Sequence, residues 1–185
     1  MKLTMTRCIF SLVALIALTP GVHAQAVYAA KQSFRIQAGG GLMYLDNDYS
    51  AEGVGGFAIW GDVDLKRVKG ILIGGEIEYH NGSIITPDDI GENTYLFGPR
   101  FTFYQKHKFD VYGKVLFGRG TIINQRYNLS SSFNIVPAYG GGVEYRVTPK
   151  INIRVVDVEM QKWPNFEPHT LSPLSYTVGA SYIIR

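Results

Sequence analysis

The chain has 185 residues, with 18 Lys or Arg facing 15 Asp or Glu, for a formal net charge of +3 with neutral histidines. So small a net charge leaves no electrostatic footprint for nucleic acid, and no nucleic-acid partner is expected. The single cysteine, Cys8, lies among the first ten residues, so disulfide scaffolding, thiol catalysis and cysteine metal sites are excluded from everything after it.

The N-terminus reads as a targeting segment. Lys2 and Arg7 are basic, Cys8 to Leu18 is an uncharged apolar run too short for an ordinary membrane span, and Pro20-Gly21 breaks it. Val22-His23-Ala24 follows as a small-x-small cleavage signal. The expectation is a secretory signal peptide over 1–24, cut between Ala24 and Gln25. Removing Lys2 and Arg7 leaves 16 basic residues against 15 acidic ones, a net charge of +1. Residues 25–185 are then one domain.

Successive side chains of a strand point to opposite faces, so each strand can be read as two lists. A short leader, 25–32, precedes a first predicted strand from Ser33 to Tyr44, with Phe34, Ile36, Ala38, Gly40, Leu42 and Tyr44 opposite Arg35 and Gln37. After a turn-rich loop (46–55), a second strand from Gly56 to Leu65 sets Phe57, Ile59, Val63 and Leu65 against Ala58, Trp60, Asp62 and Asp64. The third, Ile71 to His80, sets Ile73, Ile77 and Tyr79 against Glu76, Glu78 and His80. A long loop (81–93) leads to a strand pair over Thr94 to Gly118, joined by Gln105 to Lys108. One face of that pair holds Tyr95, Phe97, Pro99, Phe101, Phe103, Phe109, Val111, Val115 and Phe117; the other holds Arg100, Thr102, Asp110, Tyr112 and Lys114. A second long loop (119–132) follows. The sixth strand, Phe133 to Arg146, places Phe133, Ile135, Pro137, Tyr139, Val143 and Tyr145 opposite Glu144 and Arg146. The seventh, Ile151 to Gln161, places Ile151, Ile153 and Val155 opposite Asn152 and Arg154. The eighth starts at Leu174, after a loop over 162–173, and alternates Tyr176, Val178, Ala180, Tyr182 and Ile184 with Ser175, Thr177 and Ser181.

One greasy, aromatic-ended face per strand, with few charges on the other, fits strands whose greasy face meets lipid. Open sheet edges cannot face hydrocarbon, so such strands must close on themselves. The connections alternate long and short, and the strand number is even. The expected fold is therefore all-β, an eight-stranded antiparallel up-and-down transmembrane β-barrel with both termini on the short-turn, periplasmic side. Pro99 and Pro137 lie inside strands and remove a ladder donor, so a bulge or local distortion is expected at each. Asp157 falls on the lipid-facing phase, so it either sits at the outer rim or a bulge shifts the phase before Val156.

The sequence at this point resembles the small outer-membrane β-barrel domain proteins, relatives of the OmpA/OmpX-type eight-stranded barrels. The resemblance rests on the signal peptide, the run Thr94-Tyr95-Leu96-Phe97-Gly98-Pro99-Arg100-Phe101, Gly140-Gly141-Gly142-Val143, and Val147-Thr148-Pro149-Lys150-Ile151. The closing Gly179-Ala180-Ser181-Tyr182-Ile183-Ile184 is similar to the C-terminal signal read by the barrel-assembly machinery, although the family usually ends on an aromatic. The resemblance implies the fold, an outer-membrane location, and outer-membrane lipid and lipopolysaccharide as surroundings. It implies no single activity. A monomer is expected.

Eight strands leave an interior only just wide enough for side chains. The expected interior charge network is Arg35, Arg100, Lys114, Arg146 and Arg154 facing Asp62, Asp64, Glu76, Glu78, Asp110 and Glu144, with the two signs nearly balanced. Charges in so narrow a space must pair, which predicts a salt-bridged plug; a narrow gated pore is the alternative. The expected role is structural, adhesive or minor porin-like, without enzymatic activity. The rival is a lipid-modifying enzyme of the lipid A deacylase kind, built on His80 and Ser83 with Glu76 or Glu78 as orienting acid. The spacing from His80 to Ser83 departs from the His-x-Ser signature of those enzymes, and a rim histidine with a solvated loop serine is the expected reading. His80, His107 and His169 are expected in separate connections, so neither a metal nor a cofactor is expected. The glycine runs at 39–41 and 140–142 are expected to serve curvature or close packing. The last loop is expected to expose Trp163 and Phe166, as a lipid-headgroup contact or a binding tip.

Overall fold

The computed structural model describes residues 34–48, 52–86, 89–106, 108–124, 126–127, 129–164 and 170–184. The expected signal peptide and its cleavage point at Ala24 and Gln25, and also His107, Phe166 and His169, lie outside them. Eight strands form: β1 (Arg35–Asp46), β2 (Val54–Val68), β3 (Ile71–Ile85), β4 (Ile90–Lys106), β5 (Phe109–Asn124), β6 (Leu129–Thr148), β7 (Ile151–Gln161) and β8 (Leu174–Ile183). Each pairs antiparallel with the next, and β1 pairs with β8 through Gln37–Ile183 to Asp46–Leu174, closing an eight-stranded barrel.

One end carries tight turns. Lys69 and Gly70 both have positive φ (49° and 90°), the signature of the type I′ hairpin whose twist matches its strands. The turn at 149–150 is held by the Lys150 amide donating to Thr148 Oγ1 at 3.2 Å. At the other end β4, β5 and β6 run to 17, 16 and 20 residues, beyond the roughly 9–11 that cross a bilayer. Much of the two long loops expected at 81–93 and 119–132 is therefore strand. Polar residues extend the ladder through cross-strand pairs: Asn81 Nδ2 donates to Asn93 Oδ1 at 2.7 Å, and the Thr121 and Ser132 hydroxyls lie 3.2 Å apart.

The outer face is an apolar belt between two aromatic rows. At the short-turn end Phe109 and Tyr145 pack with ring centroids 4.9 Å apart, and Lys108 and Lys150 reach over Tyr145 and Tyr182. Toward the other end, Phe57, Tyr79 and Tyr95 form a chain with centroids 6.1 and 4.8 Å apart, and Tyr44 pairs with Tyr176. Leu42, Ile59 and Ile77 stand exposed between the rows. Aromatic girdles flanking an outward apolar band are how a barrel meets a bilayer.

Bulges decide which side chains point inward. Val143 pairs with Val156 but Glu144 pairs with Arg154, so Val155 is an extra residue. Val155 and Val156 both face outward, and Asp157 turns into the interior, only 2% exposed. Of the two placements the sequence left open for Asp157, the bulge is the one adopted. A second slip falls between Leu116–Ala138 and Gly118–Ile135, placing the extra residue at 136–137, as expected for Pro137. Its consequence corrects the outward assignment of Phe133 and Ile135, which are buried inside the barrel. At Pro99 the expectation holds only as a local break. The register is the same on both sides, from Phe97–Phe117 to Arg100–Lys114, with the pairing to β5 interrupted at Gly98 and Pro99 and the hairpin's bulge at Phe103.

Candidate functional site

The interior is stacked in three zones. Nearest the short turns, Arg35 Nε lies 2.7 Å from Asp64 Oδ2, and Arg35 also meets Asp110 at 3.1 Å. Arg146 joins Asp110 at 3.4 Å with its side chain partly exposed.

The middle zone is a connected ionic network. Arg100 reaches Asp62 at 2.9 Å, Glu144 at 3.0 Å and Glu76 at 3.4 Å. Arg154 reaches Glu76 at 2.5 Å and Glu78 at 2.8 Å. Lys114 Nζ lies 2.6 Å from Glu78 Oε1, 2.9 Å from Asp157 and 3.3 Å from Glu159. Gln37 Nε2 donates to both Asp62 and Glu144, Asn152 donates to Gln37, and the Tyr112 hydroxyl donates to Asp157. The two guanidinium groups also stack on rings, Arg100 at 3.7 Å from the Tyr112 centroid and Arg154 at 4.0 Å from that of Trp60. Small residues make room for these groups. A Cβ on Gly140 would meet Lys114 Cε at 2.7 Å, and one on Gly142 would meet the Tyr112 hydroxyl at 2.8 Å. The glycine run in β6 is thus the space into which β5 packs its long interior side chains.

The third zone is apolar. Met43, Leu45, Val54, Ala58, Leu96, Leu116, Phe133, Ile135, Ala138 and Trp163 form one buried cluster toward the long-strand end. Trp163 is fully buried, which corrects its expected exposure. Its backbone amide donates to the Leu171 carbonyl at 2.9 Å, its Nε1 donates to Gln161 Oε1 at 2.9 Å, and its ring lies 4.3 Å from that of Phe133. The two described ends of the last loop pair with each other and hold Trp163 inward: Pro173 and Leu171 supply carbonyls to the Gln161 and Trp163 amides.

The structure brings Arg35, Asp62, Asp64, Glu76, Glu78, Arg100, Asp110, Lys114, Glu144, Arg146 and Arg154 to this interior, and it adds members. Glu92, Asp157 and Glu159 are also buried, so among the described residues nine buried carboxylates accompany four buried Arg or Lys side chains rather than nearly balancing them. Glu159 and Asp157 follow from the Val155 bulge; Glu92 follows from the extension of β4. Alternation in β7 alone concealed both members of that strand.

His80 is not at a strand end. It lies inside β3, is 4% exposed, and has Nε2 3.4 Å from Glu78 Oε2. Ser83 falls on the other phase of the strand, within the slip in register between β2 and β3. Acyl hydrolysis needs base and nucleophile within hydrogen-bond reach, and this arrangement separates them. Glu78, His80 and Glu159, by contrast, converge and are the described residues that could hold a metal ion.

Solved structures share the architecture. OprG from Pseudomonas aeruginosa aligns with a TM-score of 0.55 at 10% identity, covering 83% of this chain and 97% of that one. Ail, the attachment invasion locus protein of Yersinia pestis, aligns at 0.51 and 16% identity, over 82% and 97%. Neisserial surface protein A aligns at 0.51 and 13%, over 82% and 96%. At these identities the likeness is one of fold. No curated protein matches. The sequence itself matches the outer membrane protein beta-barrel domain over residues 10–183, nearly the whole chain, and with a closed eight-stranded barrel belted by aromatic rows, this chain belongs to that outer-membrane β-barrel family.

Proposed function

We propose that the chain is a non-enzymatic integral protein of the outer membrane whose barrel is plugged, and which serves as a structural element with a surface-contact role. The observation that carries this reading is the filled lumen. Arg100, Arg154 and Lys114 tie strands from all around the barrel into one ionic layer, and Trp163 and Phe133 head an apolar layer above it. A solute would have to break several buried ion pairs at once, each costing several kcal/mol of uncompensated charge.

The short turns face the periplasm in this reading, and the extended β3 to β6 sheet stands above the outer leaflet. It exposes Ile84, Ile85, Tyr127 and Leu129, apolar groups suited to contact with another surface. A barrel of similar fold carries the name attachment invasion locus protein. The closed ladder leaves no unpaired edge, which supports a monomer surrounded by outer-membrane lipid and lipopolysaccharide.

The separation of His80 from Ser83 disfavours the lipid A deacylase reading. Mass spectra of lipid A from cells overexpressing the wild type test it: an unchanged acylation pattern is expected. Loss of an acyl chain, abolished in both His80→Ala and Ser83→Ala, would replace this reading with the enzyme.

A further inference from the structure

We propose that the lumen holds one divalent transition-metal cation, of the zinc class, between Glu78 and His80 of β3 and Glu159 of β7. Their donor atoms, one from each residue, all lie within 4.8 Å of one another. The three residues are 5%, 4% and 0% exposed, so none can be satisfied by bulk water.

Hydrogen bonding leaves this spot incomplete. Glu78 Oε2, His80 Nδ1 and Glu159 Oε2 are buried without a hydrogen-bond partner. The 3.4 Å between His80 Nε2 and Glu78 Oε2 is long for a hydrogen bond, and Glu159 Oε2 has only the Lys114 ammonium at 3.3 Å. Burying polar groups in this state is costly, and a cation between the two carboxylates would satisfy both of their free oxygens, with the His80 ring as the third ligand.

Charge points the same way. In this part of the lumen Glu78, Asp157 and Glu159 share the single ammonium of Lys114, with Arg154 reaching Glu78 and Asp157. Lys114 holds Glu78 through Oε1, leaving Oε2 turned toward His80.

The donor set suits the ion. One imidazole and two carboxylates are ordinary zinc ligands, with a fourth position left for water. Ligand bonds near 2.0–2.2 Å need the donor atoms to draw in by about an ångström, which rotation of two long glutamate side chains allows. An outer shell is in place: Gln161 Nε2 donates to Glu159 Oε1 at 3.0 Å, and Trp163 Nε1 donates to Gln161. Outer partners of this kind orient a ligating carboxylate, and here they join the site to the cap of the barrel. The site lies beneath that cap, so the cation is taken up as the barrel closes.

The test is to refold the full chain in detergent with zinc chloride, remove free ion by gel filtration, and measure bound zinc by mass spectrometry beside the circular-dichroism signal of the folded barrel. About one zinc per folded wild-type barrel is expected. Glu159→Gln and His80→Asn should each lower zinc affinity by tenfold or more, and Gln161→Ala by roughly tenfold through the outer shell. Zinc should raise the unfolding temperature of the wild type and not that of Glu159→Gln. If His80→Asn does not fold, the isosteric Glu159→Gln carries the comparison. A folded wild type that retains no stoichiometric zinc, or a Glu159→Gln barrel that retains as much as the wild type, overturns the proposal.

Discussion

Trp163 packs on Phe133 inside the mouth of the barrel, ring centroids 4.3 Å apart, although the two residues belong to the last loop and to β6. Both are turned inward by local features, Phe133 by the bulge at 136–137 and Trp163 by its backbone pairing with Leu171. Trp163→Ala should therefore cost about 3–5 kcal/mol, since a large ring is removed from a closed apolar cluster. Denaturant unfolding in detergent measures it. A loss below about 0.5 kcal/mol, the size expected of an exposed loop residue, would contradict the cap.

Ile77 and Ile84 are equally exposed, at 64% and 65%, and lie in one strand. They differ in depth, Ile77 between the two aromatic rows and Ile84 beyond the Tyr79–Tyr95 pair. Ile77→Arg should cost roughly 2–4 kcal/mol on folding into lipid vesicles. Ile84→Arg should stay within about 0.5 kcal/mol of the wild type, as on an ordinary wet surface. Equal folding yields from both variants would move the lipid boundary away from the aromatic rows.

Arg154 touches Glu76, Glu78, Glu144 and Asp157 and stacks on Trp60. Arg154→Met should destabilise the barrel by about 3–5 kcal/mol, because carboxylates are left buried without their cation. Adding Glu76→Gln removes one of those charges and should recover part of the loss, a coupling that a double-mutant cycle reads directly. Strict additivity of the two changes would mean that the network does not act as a unit.

The eight strands were legible because lipid on one side and side chains on the other impose a period of two, which Phe34 to Tyr44 or Ile71 to Tyr79 display without interruption. The seventh strand kept its predicted bounds, Ile151 to Gln161, and its phase as far as Val155, but not beyond. A bulge is one residue long and changes no composition, so Val155 reads like its neighbours while reversing the side of Asp157 and Glu159. Pro137 did announce its bulge, since it removes a ladder donor, yet the inward turn of Phe133 and Ile135 that follows from it requires knowing the direction of the slip. The strand extensions were hidden for another reason. Backbone pairing above the membrane needs no apolar face, and Asn81, Asn93, Thr121 and Ser132 look like loop residues until their partners are known. The position of His80 beside Glu159 depends on the closure of the whole barrel, which brings β3 opposite β7, and no local pattern carries it.

A filled lumen should not conduct, and single-channel recording in planar bilayers tests this most directly. Refolded wild type, inserted and verified as a folded barrel, should give a flat current trace at moderate voltage with at most rare, brief openings. Steady, long-lived conductance steps proportional to voltage would contradict the account and make the barrel an open pore.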